Sequence, residues 1–168
     1  MKDERVLNVD RNATFRILYL EDNAMAATFE NRIKRQNYSV DSAYNVGQAW
    51  GWLEEKPSYD AIILDLDLGN NQDIYFEDEE DKQAVLNGQF AGYVFHKSVI
   101  CKKFLEYRDK VLFVTAYHNS FKKSLNDLSE FNSLKDKLID KREVDFEEKI
   151  FERLSLIHSS AAENGILS

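Results

Sequence analysis

Proline and cysteine are almost missing from this chain of 168 residues, each occurring once, as Pro57 and Cys101. A lone cysteine excludes an internal disulfide and any metal site built from several thiolates. Cys101 lies in an amphipathic stretch, where a small packing residue is the expected role. With so little proline, no Pro-rich linker divides the chain, and no internal repeat is visible. No apolar run approaches the roughly 20 residues that span a bilayer. The opening segment MKDERVLNVDRNA is too polar for a secretory signal, so a cytoplasmic protein with no membrane partner is expected. Positive charge is in deficit as well: the formal net charge is −8. That acidity argues against a grip on nucleic-acid phosphates and favours proteins or cations as partners.

What is present is the mix of a single globular domain, 43% hydrophobic and 31% charged. Short apolar runs alternate with longer amphipathic ones. FRILYLED (Phe15 to Asp22), YSVDSA, AIILD (Ala61 to Asp65), VLFVTA (Val111 to Ala116) and the short DKLIDK read as strands. Between and after them, AMAATFENRIKRQ, NVGQAWGWLEE, GYVFHKSVICKKFLEY, NSFKKSLNDLSEF and DFEEKIFERLSLI read as helices, with Ala27 and Ile33 on the apolar face of the first. Five βα units in a row predict a parallel sheet with helices on both faces. One stretch breaks the pattern, Gly69 to Ala91, which holds the run Glu77-Asp78-Glu79-Glu80-Asp81. It reads as an acidic loop insertion, solvated, mobile and swung outward from the neighbouring strand end. The expected organisation is a polar extension over 1–14, a domain over 15–158 carrying the 69–91 insertion, and a tail over 159–168.

In open α/β sheets, ligands bind beyond the carboxyl ends of the strands. Here the first strand ends in Glu21-Asp22, the third in Asp65 with Asp67 just beyond, the fourth in Thr115, and the fifth runs into Lys141. Each alone is most often a turn residue or a helix cap; together they place acids, one hydroxyl and one amine on a single edge. Clustered carboxylates raise one another's pKa unless a cation neutralises them, and an all-oxygen donor set suits Mg²⁺. Phosphoryl transfer needs little beyond positioning and charge stabilisation, and Asp65 is then a candidate nucleophile for an aspartyl-phosphate.

The segments ILYLEDN, YDAIILDLDL, VLFVTA and LIDK, in that order, resemble the receiver domain of two-component response regulators. The resemblance runs from about Phe15 to Ile157. It implies a flavodoxin-like, doubly wound, five-stranded parallel sheet of order 2-1-3-4-5. It also implies that Asp22 binds Mg²⁺ directly, that Glu21 acts mostly through water, and that Asp65 is the phosphoacceptor. Thr115 becomes the switch hydroxyl, Lys141 the partner of the phosphoryl group, and Asp67 the donor of a backbone carbonyl to the metal, with its side chain free to affect hydrolysis. The implied partners are a histidine kinase or histidine phosphotransfer protein, and then a downstream protein or a second copy of the chain. Beyond self-catalysed phosphotransfer and dephosphorylation, no independent turnover is implied. Two positions depart from the family pattern. Arg142 stands where a proline usually follows the lysine, with Lys137 as a second lysine candidate, and Leu138 stands where an aromatic residue is usual.

Two other readings compete. A degenerate receiver, never phosphorylated, would serve as an interaction or dimerisation module; the missing proline and aromatic motivate it. A Mg²⁺-dependent phosphatase or nuclease built on Asp65 and Asp67 is the other, although in the haloacid-dehalogenase-like hydrolases that pair ends the first strand rather than the third. His118 and Tyr117, both close after the fourth strand, are further candidates to touch a phosphoryl group or tune water access to it.

Overall fold

The structure, a computed structural model, describes residues 14–23, 26–55, 58–85, 90–124 and 132–163. Five strands form one sheet: β1 (Arg16–Leu20), β2 (Ser39–Ala43), β3 (Ala61–Asp65), β4 (Val111–Thr115) and β5 (Leu138–Asp140). Every pairing is parallel and the order is β2-β1-β3-β4-β5, the flavodoxin-like arrangement. The helices are α1 (Ala26–Arg35), α2 (Val46–Glu54), α3 (Glu79–Ala84), α4 (Ala91–Phe95), α5 (Cys101–Lys103), α6 (His118–Ser124) and α7 (Phe146–Glu163).

β3 and β4 are buried at every position, because both faces of the sheet are covered; that is why their sequences are unbroken apolar runs. Ile17, Tyr19, Ile63, Leu112 and Val114 point to one face, against Phe29 and Ile33 of α1 and Ile150 and Leu154 of α7. Leu18, Leu20, Ile62, Leu64 and Phe113 point to the other, against α2 and α4. α1 buries Ala26, Phe29 and Ile33, while Ala27, expected on that stripe, is exposed. Residues 125–131 of the helix expected over NSFKKSLNDLSEF lie outside the described residues.

The helix expected from Gly92 to Tyr107 is not regular. α4 passes into a π-helical turn, His96–Ile100, before α5. The wide turn keeps His96, Val99 and Ile100 all buried. It sets His96 Nε2 3.2 Å from the Arg108 carbonyl and its ring edge-on to Phe113, 5.0 Å between centroids. Cys101 packs there too, its Sγ 3.5 Å from His96 Nε2, and burial pushes its thiol up, away from the reactive thiolate.

The 69–91 segment is not the outward loop its charge predicts. It folds as a 3₁₀ turn, Asp73–Tyr75, and as α3, whose N-cap Asp78 accepts from the Glu80 N–H at 2.8 Å. Leu68 just before it, and Phe76 and Val85 within it, are buried in the core shared by α2 and α4. Gln72 Oε1 accepts the Val46 N–H at the start of α2, 3.1 Å away. The Tyr75 ring lies over Gly47, where a Cβ would come within 2.4 Å of it. The side chains of Glu77 to Glu80 remain exposed, and Asp81 accepts from Ser98 Oγ at 2.7 Å. Apolar residues on both sides of the acidic run supply a packing face, each buried side chain contributing about 1.5–3 kcal/mol; only the carboxylates keep their water. Residues 86–89 lie outside the described residues.

Candidate functional site

The sheet's carboxyl edge brings together the groups that end β1, β3, β4 and β5. Glu21 and Asp65 are buried, at 5% and 3% exposure, while Asp22 is exposed. One carboxylate oxygen from each of the three lies within 4.8 Å of the other two. Lys141 Nζ donates to Asp65 Oδ2 at 2.6 Å and also to Glu21 Oε2. Lys137 pairs instead with Asp109, at 3.4 Å, so Lys141 is the lysine of the cluster.

No proline holds the turn after β5, and the described peptide bonds are all trans. Arg142 does that work by another route. Its N–H and guanidinium Nε both donate to Asp140 Oδ1 at 2.9 Å, and a terminal guanidinium nitrogen reaches Asp140 Oδ2 at 2.5 Å. The Lys141 N–H meanwhile donates to the Thr115 carbonyl at 2.9 Å. β4 and this clamp therefore aim the lysine stem inward. Leu138, at the position of the usual aromatic, is a buried core residue.

Glu21 is oriented by three donors: Lys141, the Asn23 N–H at 3.3 Å and the Tyr19 hydroxyl at 3.4 Å. Asp22 accepts the Gly69 N–H at 2.5 Å, a contact a proline there could not make. Burial raises the Asp65 carboxyl out of the usual carboxylate range, with Lys141 opposing that shift and Glu21 adding to it. Burial also works against a charged Lys141, yet Asp65 and Glu21 outweigh it and hold the ammonium above the usual lysine value.

Asp67 behaves differently from the expectation that its side chain is free. Its N–H donates to Asp65 Oδ1 at 3.1 Å, but its own Oδ2 accepts the Thr115 hydroxyl at 2.5 Å. The Phe90 N–H donates to the same carboxylate, whose pKa is raised by burial and lowered by these donors. Thr115 is fully buried, and the Tyr117 N–H donates to its Oγ1 at 2.9 Å. The Tyr117 side chain is exposed. His118 lines a cleft with Asp140, Glu143 and Arg153 between β5 and α7, not the acidic cluster.

Sequence reasoning missed Gly92. A Cβ on it would lie 2.0 Å from the Asp65 carbonyl oxygen, and its N–H points to the Leu66 carbonyl at 3.3 Å. The start of α4 thus seats directly on the end of β3, which no larger residue permits. A glycine inside a helix start, where it costs helix stability, was the available signal. The Gly69 contact to Asp22 and the Tyr19 contact to Glu21 left no trace in the sequence pattern.

Three carboxylates facing one ammonium leave negative charge in excess, and Asp22 opens that excess to solvent. The donor set, all oxygen and carboxylate-rich, fits a hard divalent cation such as Mg²⁺. Asp65 stands where it can act as a nucleophile beside that charge.

These features define the fold of response-regulator receiver domains. At the level of sequence, no family model and no curated protein matches the chain. Solved structures do match in fold. The receiver domain of the Francisella response regulator 1452 is 14% identical, with a TM-score of 0.55, covering 87% of this chain and 98% of that one. Vibrio cholerae chemotaxis protein CheY4 is 15% identical, with a TM-score of 0.56 and coverage of 86% and 99%. The Thermotoga maritima response regulator TrrA, solved in complex with Mg²⁺ and BeF, is 21% identical, with a TM-score of 0.55 and coverage of 84% and 97%. Among the described residues no helix is long and apolar enough to cross a membrane.

Proposed function

We propose that this chain is a receiver that accepts a phosphoryl group on Asp65 from a phosphohistidine on a partner kinase or phosphotransfer protein. The observation that carries this reading is the convergence of Glu21, Asp22 and Asp65, with Lys141 held against Asp65 at 2.6 Å. Asp65 Oδ attacks the phosphorus, the P–N bond to the donor imidazole breaks, and the imidazole leaves with the electron pair. Lys141 offers its ammonium to the transferred phosphoryl oxygens, in place of part of its present contact with Asp65. Glu21, Asp22, Asp65 and the Asp67 carbonyl would hold Mg²⁺, which supplies charge neutralisation for the carboxylates and the phosphoryl group. Water later hydrolyses the acyl phosphate. The modified site biases contacts with a downstream protein or with a second copy of the chain.

Beryllofluoride, a stable mimic of a carboxyl-bound phosphoryl group, tests this reading without turnover. With Mg²⁺ it raises the melting temperature of the wild type, as any ligand selective for the folded state does, and leaves Asp65→Asn unmoved. Equal melting temperatures with and without it, in both proteins, overturn the reading. A degenerate, unphosphorylated receiver is favoured by one observation: Asp65 and Thr115 already have partners within the chain, Lys141 and Asp67.

A further inference from the structure

Three observations meet at Asp67. Its carboxylate accepts a hydrogen bond from the Thr115 hydroxyl at 2.5 Å, which engages the single proton that hydroxyl has to donate. The same carboxylate accepts the backbone N–H of Phe90, the residue near the end of the 69–91 segment that forms the N-cap position of α4. Phe90 is left-handed, with φ 56° and ψ 21°, a costly conformation for an aromatic residue that persists only where its surroundings enforce it. Its ring packs on Phe121 of α6, 5.1 Å between centroids, and Tyr93 packs edge-on against the same ring at 5.2 Å. A continuous set of contacts therefore runs from Thr115 through Asp67 and Phe90 to α6.

We propose that Asp67 is a latch: its carboxylate holds the Thr115 hydroxyl and the strained Phe90 backbone together, so that whatever draws Thr115 toward Asp65 releases the end of the 69–91 segment and, through Phe121, α6. This inference rests on the receiver reading for the event that draws Thr115, but the latch itself is a property of the protein alone. A phosphoryl group on Asp65 presents oxygens that compete for the single Thr115 proton. Once the Thr115 hydroxyl turns from Asp67 to those oxygens, the carboxylate loses one of two donors while remaining partly buried. Phe90 then loses rigidity at the one point where its conformation is strained. Signal passes by this path in a chain whose β5 carries Leu138 instead of an aromatic residue, and it reaches the insertion that packs on α2 as well as α6.

Hydrogen exchange of the full chain, read by peptide mass, tests the latch. In the absence of any ligand, Asp67→Ala is expected to speed exchange over 90–95 and 118–121 by about tenfold or more, the loss of a charge-assisted hydrogen bond. Protection in β1, β3 and β4 stays at the wild-type level. Asp67→Asn, which keeps one acceptor oxygen, falls between the two. Mg²⁺ with beryllofluoride produces the same increase in the wild type and none further in Asp67→Ala. Exchange over 90–95 unchanged in Asp67→Ala overturns the proposal, and so does a uniform rise across all strands, which would make Asp67 a general stabiliser. If beryllofluoride fails to bind, the receiver reading fails while the ligand-free comparison still decides the latch.

Discussion

Lys141 carries more of the site's electrostatics than any other side chain, because two buried carboxylates depend on it. Removing it leaves Asp65 and Glu21 as like charges in a poorly solvated corner, a loss far larger than that of a surface ion pair. Lys141→Met is therefore expected to destabilise the fold by roughly 3 kcal/mol in urea unfolding at neutral pH. Saturating Mg²⁺ should recover part of that loss, since a divalent cation answers the same charges. A change under about 0.5 kcal/mol would contradict the pairing. His96 gives a second prediction at this scale. Burial lowers its pKa below the usual value, so the folded protein binds fewer protons than the unfolded chain just below pH 6.5. Stability then rises with pH toward that value and falls as acid is added below it. His96→Gln, which keeps a donor for the Arg108 carbonyl and cannot be protonated, should lose less stability between pH 7 and pH 5 than the wild type in melting experiments.

At the scale of elements, the 69–91 segment is a packed part of the body. Phe76 is 4% exposed within the α2–α4 core, so Phe76→Ala is expected to cost about 3–4 kcal/mol in urea unfolding. A tethered, solvated loop would show a change within about 0.5 kcal/mol. The contrast explains what could be read from sequence. Strand ends were legible because β3 and β4 are continuous apolar runs that stop at Asp65 and Thr115, and a parallel sheet sends all such ends to one edge. The packing of the insertion was not, because Phe76 and Val85 flank a charge block whose solvation dominates any local reading. The π-helical turn at His96 was hidden for a related reason: a buried helix is apolar on more than one face, so its periodicity does not show one extra residue. The role of Asp67 depends on Thr115, 48 residues away in sequence, and on a backbone N–H, which no side-chain pattern displays. Arg142 looked like a defect where a proline was expected, yet its guanidinium clamps Asp140 and restores the turn.

For the whole molecule, the consequence of net charge −8 is that an anionic phosphodonor meets a repulsive surface except where cations gather. Lys141, together with a divalent cation that Glu21, Asp22 and Asp65 would hold, would create such a place at the carboxyl edge of the sheet. The fold sets this edge at the switch point between β1 and β3, where order β2-β1-β3 reverses direction. Phosphoryl chemistry at Asp65 is thus the claim on which the reading of the molecule depends. Its most direct measurement is the intact mass of the protein after incubation with a small phosphodonor such as phosphoramidate. The expected result is one phosphoryl adduct, formed with Mg²⁺, blocked by a chelator, labile to alkali and lost in Asp65→Asn. An unmodified mass in the folded wild type with Mg²⁺, or an equal adduct in Asp65→Asn, would contradict it.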